Sequence, residues 1–302
     1  GPVFALLAVD TIVYVGGSFS QLGTIQAANV ASINVVGGHF QALGTGTNSV
    51  VRALAWHQGA LFAGGEFTNA GGVSVQHIAR WNSVAWSGLN AGLDGTVLSL
   101  ASIGNALVAG GEFKRSGTLT VNGIAAWRSG EWQGLAEGMT GGTPASVAAV
   151  GAIGGWIIGG GSFTTAGTTP VTAIARWDTV RRSWGGLGDS LTGSGNGVDG
   201  NIYTMAIYND DLYVGGDFQR IGDVSARRVA RFNRTSESWS PLGSGITDPG
   251  AFVRTMAISS TGELFVGGIF NEAGGAAAVG VAKWDGSAWG PVAGGVAGPT
   301  PY

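Results

Sequence analysis

Short apolar segments alternate along the chain with turns that are rich in glycine. The stretch 50–56, which reads Val-Val-Arg-Ala-Leu-Ala-Trp, is followed by a turn at 57–59 and a second apolar stretch at 60–63. A third stretch covers 78–81, and a fourth contains Trp86. Short apolar runs bounded by turn residues about every 8–12 residues are typical of β-strands. The pattern therefore predicts a meander of four strands.

This meander is repeated, and a pair of glycines marks each copy. One residue after each pair comes a phenylalanine, and a further glycine follows four residues later. The pairs and their phenylalanines are Gly16, Gly17 and Phe19; Gly64, Gly65 and Phe67; Gly110, Gly111 and Phe113; Gly160, Gly161 and Phe163; Gly215, Gly216 and Phe218; and Gly267, Gly268 and Phe270. Successive pairs are 48, 46, 50, 55 and 52 residues apart, which is the period of a four-stranded propeller blade. The sequence predicts an all-β protein, a six-bladed β-propeller of four-stranded antiparallel blades without strand-exchange closure.

Aromatic residues recur at two further positions of the repeat, one in the third strand and one in the fourth. They are Trp81 and Trp86, Trp127 and Trp132, Trp177 and Trp184, Phe232 and Trp239, and Trp284 and Trp289. The spacing within a pair is 5 or 7 residues, and a difference of two leaves the second aromatic on the same face of a strand. We expect these rings to fill the contacts between blades. The glycine pairs indicate close backbone approach or a bulge that ends the second strand.

The repeat covers the whole sequence and predicts one domain, residues 1–302, as part of a larger protein. The predicted blades cover approximately 1–46, 47–92, 93–138, 139–190, 191–245 and 246–302.

Composition narrows the function classes. Glycine supplies 57 of 302 residues and 44% of the chain is hydrophobic, whereas only 11% is charged, compared with about 25% in typical soluble domains. Such a surface fits an extracellular protein, a subunit buried in an assembly, or a soluble monomer of unusual composition. The net charge of −3 without a basic block argues against nucleic acid as a partner. No apolar run is long enough to predict a transmembrane segment.

One copy of the repeat reads Gly64-Gly65-Glu66-Phe67, Ala70-Gly71, Ile78-Ala79-Arg80-Trp81 and Trp86-Ser87-Gly88-Leu89. This form resembles the kelch-like repeats of large secreted or surface bacterial proteins and of fungal cortical polarity-marker proteins. The resemblance implies a propeller that serves as a binding module, a structural ectodomain or, as in the galactose oxidase group, an enzyme. Copper oxidases on this fold need a cysteine crosslinked to tyrosine, and this chain has no cysteine.

Few residues have a pattern typical of a metal or cofactor site, and we predict neither. The histidines His39, His57 and His77 are interpreted as surface residues or as residues satisfied within the fold. The loop 195–201 lacks the alternating carboxylates of a calcium loop. Asn233 begins a glycosylation sequon that would be accessible in a protein secreted by a eukaryote.

Cations recur at one third-strand position, as Arg80, Arg176, Arg231 and Lys283. They could form an anion-binding ring. The preferred interpretation is that they are buried between strands or blades and bonded within the protein, with Glu66 and Asp217 as partners of Arg80 and Arg231. Replacing Arg80 or Arg231 by Met would then change stability more than ligand affinity.

Most of the variation in repeat length falls in the connections between blades, near 136–147, 188–201 and 243–252. Variable loops on a rigid scaffold are suited to recognition. The candidate binding residues in these loops are Asp189, Asn196, Asp199, Asn201 and Asp248.

The leading hypothesis is a non-enzymatic extracellular or surface propeller that binds a protein or carbohydrate, or serves as a structural subunit of an assembly. One alternative is a glycan-active enzyme using loop carboxylates such as Asp189, Asp199 and Asp248, although no pair of acids recurs at a convincing spacing. A second is an intracellular scaffold of the kelch type, which the low charge and the lack of an attached helical domain disfavour.

Overall fold

The computed structural model describes residues 1–188, 197–293 and 295–296, and all regular elements within these ranges are β-strands. The all-β class is thus confirmed. The chain divides into two compact units, Gly1–Thr140 and Gly141–Tyr302, and the described part of each contains three four-stranded antiparallel sheets. The described residues include no helix long and apolar enough to cross a membrane.

Three sheets make up the first unit, and each carries a two-residue ribbon between its second and third strands. We call a sheet with its ribbon a blade and number the blades along the chain. The strands are β1 (Val3–Val9), β2 (Ile12–Gly17), β3 (Gln21–Leu22), β4 (Ile25–Gln26), β5 (Val30–Asn34) and β6 (His39–Ala42) in blade 1; β7 (Val51–His57), β8 (Ala60–Gly65), β9 (Asn69–Ala70), β10 (Val73–Ser74), β11 (Ile78–Trp81) and β12 (Trp86–Gly88) in blade 2; and β13 (Val97–Ile103), β14 (Ala106–Gly111), β15 (Arg115–Ser116), β16 (Leu119–Thr120), β17 (Ile124–Arg128) and β18 (Glu131–Gly134) in blade 3, followed by β19 (Met139–Thr140).

The second unit repeats this arrangement in blades 4, 5 and 6. Its strands are β20 (Ser146–Ile153), β21 (Trp156–Ser162), β22 (Thr165–Ala166), β23 (Thr169–Pro170), β24 (Ile174–Asp178) and β25 (Ser183–Gly185); β26 (Ile202–Tyr208), β27 (Asp211–Gly216), β28 (Arg220–Ile221), β29 (Val224–Ser225), β30 (Val229–Asn233) and β31 (Ser238–Pro241); and β32 (Phe252–Ile258), β33 (Leu264–Ile269), β34 (Glu272–Ala273), β35 (Ala276–Ala277), β36 (Val281–Trp284) and β37 (Trp289–Pro291). Every four-stranded sheet is contiguous in sequence, as predicted, and β1 pairs with β2 of its own blade. The ribbons were not predicted.

The glycine pair lies opposite a bulge in the first strand of its blade. In blade 2, Val51 pairs with Gly65 and Ala53 pairs with Gly64, so Arg52 is the extra residue. The predicted bulge is therefore present, but its extra residue belongs to the first strand. A Cβ at Gly65 would overlap the carbonyl oxygen of Val50, and one at Gly64 would overlap Val97 of the next blade. Close packing on both sides thus requires the two glycines.

Aromatic rings fill the contacts between neighbouring blades within each unit. The ring of Trp81 lies 5.3 Å from that of Trp86, and both pack with Val30 and Leu43 of the preceding blade. The Trp86 indole Nε1 also donates a hydrogen bond of 2.7 Å to the carbonyl oxygen of Leu43. The same bond between blades joins Trp132 to Leu89, Trp239 to Leu187 and Trp289 to Leu242. The fourth-strand tryptophan is therefore both a packing residue and a hydrogen-bond donor.

Candidate functional site

The predicted partners of the third-strand cations are wrong. Glu66 accepts a 2.7 Å hydrogen bond from Arg52 Nε, and Asp217 accepts one of 2.6 Å from the Tyr203 hydroxyl. The strand register explains the error, since Arg80 lies opposite Phe62 in β8 and residue 66 is beyond the end of that strand. A constant spacing of 14 residues therefore did not indicate contact.

In blades 5 and 6 the actual partner lies 20 residues before the cation, at the first residue of the second strand or immediately before it. Arg231 Nε donates a 2.8 Å bond to Asp211 Oδ2, and Arg231 Nη2 contacts the same oxygen. Lys283 Nζ donates a 2.6 Å bond to Glu263 Oε1, and this contact raises the pKa of the Lys283 ammonium. These two cations are bonded within their blades, although about 40% of each side chain is exposed, so the expected burial is not found.

Arg176 contacts an aromatic ring, because the residue 20 positions before it is Trp156. Its guanidinium lies over the Trp156 ring at 3.9 Å from the ring centre, and Nη1 is 3.4 Å from Glu237 Oε2. Arg234 approaches the same ring at 5.3 Å and donates a 3.1 Å bond to the carbonyl oxygen of Gly154. Three of the four cations are thus engaged inside the protein.

Arg80 is the exception. The residue 20 positions before it is Ala60, which offers neither a carboxylate nor a ring. Within the described part of the chain, the exposed Arg80 side chain has no hydrogen-bond or ion-pair partner. Of the cations that recur at this position, Arg80 is therefore the one whose charge is available to a ligand.

Arg80 lines a cleft of about 280 Å³ between blades 2 and 3 of the first unit. We call it the Arg80 cleft. It is lined by His57, Gln58, Phe62, Arg80, Ser87, Gly88, Leu89, Trp127 and Gly130. The indole of Trp127 is half-buried and packs against Trp132, with ring centres 5.4 Å apart. The cleft thus combines a cation, a well-supported aromatic ring, and the hydroxyl and amide of Ser87 and Gln58.

A histidine and a serine form a polar pair at the inner wall of the cleft. His57 is 3% exposed, and its Nδ1 lies 2.8 Å from Oγ of Ser102 in the first strand of blade 3. Its ring also meets Phe62 edge-on at 5.9 Å. Burial lowers the pKa of His57, so the imidazole is neutral at neutral pH and adds no second cation. The histidine is satisfied within the fold, as predicted from the sequence.

Two predicted binding residues, Asp199 and Asp248, hold the ribbons of their own blades. Asp199 Oδ1 accepts bonds of 2.7 and 2.9 Å from the backbone amides of Gln219 and Arg220. Asp248 Oδ2 accepts the amides of residues 271 and 272. The structure gives both carboxylates an architectural contact, and their role in binding stays a prediction.

The other predicted binding residues are Asn201, Asp189 and Asn196. Asn201 donates to Asp217 Oδ2 at 3.2 Å, whereas Asp189 and Asn196 lie outside the described residues. At the sequon, Asn233 Nδ2 donates a 2.9 Å bond to Asp211 Oδ1, so the nitrogen that glycosylation would modify is engaged. Among the described residues, no group of three or more His, Asp or Glu side chains could hold a metal ion.

Comparison with known proteins supports a propeller. A family model described as "Domain of unknown function (DUF5122) beta-propeller" matches residues 210–236. No curated protein matches the chain. Among solved structures, the computationally designed Ika8 protein aligns with a TM-score of 0.54 at 17% identity, over 94% of this chain and 70% of Ika8. The extracellular domain of BT4673, described as a one-component system of B. thetaiotaomicron, aligns with a TM-score of 0.60 at 12% identity. That alignment covers 93% of this chain and 32% of the other, and at these identities the likeness concerns the fold alone.

Proposed function

We propose that this chain is a non-enzymatic recognition module, a six-bladed kelch-like propeller of a secreted or cell-surface protein, and that it binds carbohydrate in the Arg80 cleft. The observation that carries the proposal is the cleft itself, where an unpaired guanidinium and the Trp127 ring border the same space. Aromatic rings with a few polar groups are the usual lining of small-molecule sites. The low charge of the chain supports an extracellular location.

Binding is preferred to catalysis because two of the three candidate acids, Asp199 and Asp248, are engaged elsewhere, while Asp189 lies outside the described residues. The carboxylates of Asp199 and Asp248 each accept backbone amides of a ribbon. In the described part of the chain, the His57 imidazole is bonded to Ser102 and to no carboxylate, so an orienting acid for a nucleophilic serine is missing. We therefore propose that the purified chain leaves its ligand unchanged.

Binding of the purified chain to a glycan array tests the proposal. The variant Ser87→Trp places an indole at an exposed position in the cleft and should abolish binding, whereas Ser183→Trp in the second unit, also at an exposed strand position, should not. Thermal melting controls for folding of both variants. Turnover of a bound glycan would overturn the non-enzymatic assignment. Binding that survives Ser87→Trp but is lost when the loops 185–201 and 240–252 are shortened would move the site to the inter-blade loops.

A further inference from the structure

The partners of the other cations at the third-strand position indicate which kind of group Arg80 would bind. Blades 5 and 6 supply a carboxylate to this position, from Asp211 and Glu263. In blade 2 the equivalent residue, Ala60, is too short to reach Arg80 and carries no charge. We propose that the Arg80 cleft binds an acidic sugar, a uronic acid, whose carboxylate meets the Arg80 guanidinium as the Asp211 carboxylate meets that of Arg231. This inference rests on the proposed carbohydrate function and adds the class of sugar.

A carboxylate fits this position better than a neutral group. The contact in blade 5 shows that a guanidinium here reaches a carboxylate through both Nε and Nη2, and a ligand carboxylate could meet Arg80 in the same way. None of the described residues that line the cleft is acidic, so no side chain of the lining competes for Arg80.

The rest of the lining favours a sugar ring over an extended peptide. The Gln58 amide can donate hydrogen bonds to ring hydroxyls and accept them. The Ser87 hydroxyl, which donates a 3.5 Å bond to the carbonyl oxygen of Arg80, can accept one. The half-buried Trp127 provides a flat apolar surface within the same cleft. At about 280 Å³ the cleft is slightly smaller than typical small-molecule sites, roughly 300–1,000 Å³, and suits one or two sugar units.

Calorimetry with matched glycosides tests the inference directly. The probes are methyl glucuronide against methyl glucoside and methyl galacturonide against methyl galactoside, since each pair differs only by a carboxylate in place of a hydroxymethyl group. The wild-type chain should prefer at least one uronide by roughly 10-fold or more, because a hydrogen bond to a charged group is worth about 1.5–3 kcal/mol. Added salt should reduce the preference. Equal affinities within both pairs would overturn the inference.

Two variants assign the preference to Arg80. Arg80→Met should remove it, and the matched control Arg231→Met should keep it, because Arg231 is bonded to Asp211 in its own blade. Ala60→Asp leaves Arg80 in place but supplies the internal carboxylate found in blade 5, so it should also remove the preference. If Arg80→Met fails to fold, Ala60→Asp decides the question alone. A uronide preference that persists in a folded Ala60→Asp chain would overturn the role of Arg80.

Further probes distinguish a uronic acid from other ligands. Acetate carries the carboxylate without the ring and should bind much more weakly than the uronide; comparable binding would overturn ring recognition. A short peptide with a free C-terminal carboxylate that binds better than every uronide would overturn the sugar assignment. Glycoside binding that Ser87→Trp blocks but that is indifferent to the carboxylate would refute the acidic-sugar inference and leave the proposed carbohydrate function intact.

Discussion

The contact between blades 2 and 3 and the contact between blades 4 and 5 are built on the same repeat but filled differently. In both, an arginine of the third strand, Arg80 or Arg176, is directed toward the next blade's hairpin. In the second unit Trp156 and Glu237 engage the arginine, and Arg234 covers the same ring. In the first unit the position of Trp156 is occupied by Ala60, and Arg80 borders an open cleft.

Hairpin length and first-strand residues account for the rest of the difference. The hairpin between the aromatics of blade 3 is two residues shorter than that of blade 5, since the aromatic pairs are 5 and 7 residues apart. The longer hairpin carries Arg234 and Glu237. At the inner wall, the positions of His57 and Ser102 are taken in the second unit by Ile153 and Ile207. The same scaffold is thus closed by ionic and apolar contacts in one unit and left polar and open in the other.

The largest expected effect tests whether the scaffold is indeed shared. Gly64→Val and Gly160→Val should each destabilise the protein by about 3 kcal/mol, because a side chain there overlaps Val97 or Ile202 of the next blade. Urea unfolding measures the change. The control is Gly290→Val, whose added Cβ has no atom within 4 Å and whose φ is not in the left-handed region. A large loss for one of the first two variants and none for the other would show that the two contacts are not equivalent.

Removing the ring that closes the second contact should have the next largest effect. Trp156→Ala should cost about 2 kcal/mol, because a half-buried ring and its contacts with Arg176 and Arg234 are lost. Trp156→Leu keeps apolar area but removes the aromatic face, so it should cost about 1 kcal/mol less than Ala. Thermal and urea unfolding of both variants provide the measurement. Equal stability of the wild-type and Ala variants would refute the view that Trp156 holds the contact together.

The sequence predicted the parts of this comparison that repeat and missed the parts that do not. The strands, the contiguous blades and the aromatic pairs follow from the period, because the same packing requirement acts on every copy. The partners of the cations were missed, since strand register decides which residues meet and spacing alone does not specify it. The cleft was missed because it arises from departures from the repeat. Ala60, His57 and Ser102 differ from their counterparts in the contact between blades 4 and 5, which are Trp156, Ile153 and Ile207, and aligning the copies on their glycine pairs would have revealed the differences.

The ion pair between Arg176 and Glu237 should contribute less than the Trp156 ring. The two charged atoms are 3.4 Å apart and both side chains are partly exposed, so solvent screens their attraction. A double-mutant cycle with Arg176→Met and Glu237→Gln should give a coupling energy below about 1 kcal/mol, and it should decrease further in high salt. A coupling well above that value would mean that the pair, rather than the ring, closes this contact.

The smallest expected effect concerns the polar pair of the first contact and its dependence on pH. Burial lowers the pKa of His57 in the folded protein, whereas the unfolded chain has an ordinary histidine pKa of about 6.5. As the pH falls toward that value, the histidine of the unfolded chain takes up a proton before the buried His57 does. Protonation of His57 in the unfolded chain therefore lowers the free energy of unfolding at acidic pH and has no effect at higher pH. The variant His57→Gln should therefore show a smaller dependence of the free energy of unfolding on pH between about 7 and 5. The control His39→Gln, at an exposed position, should leave the slope unchanged. The same slope in the wild-type and His57→Gln proteins would show that the buried imidazole does not distinguish the two contacts in this way.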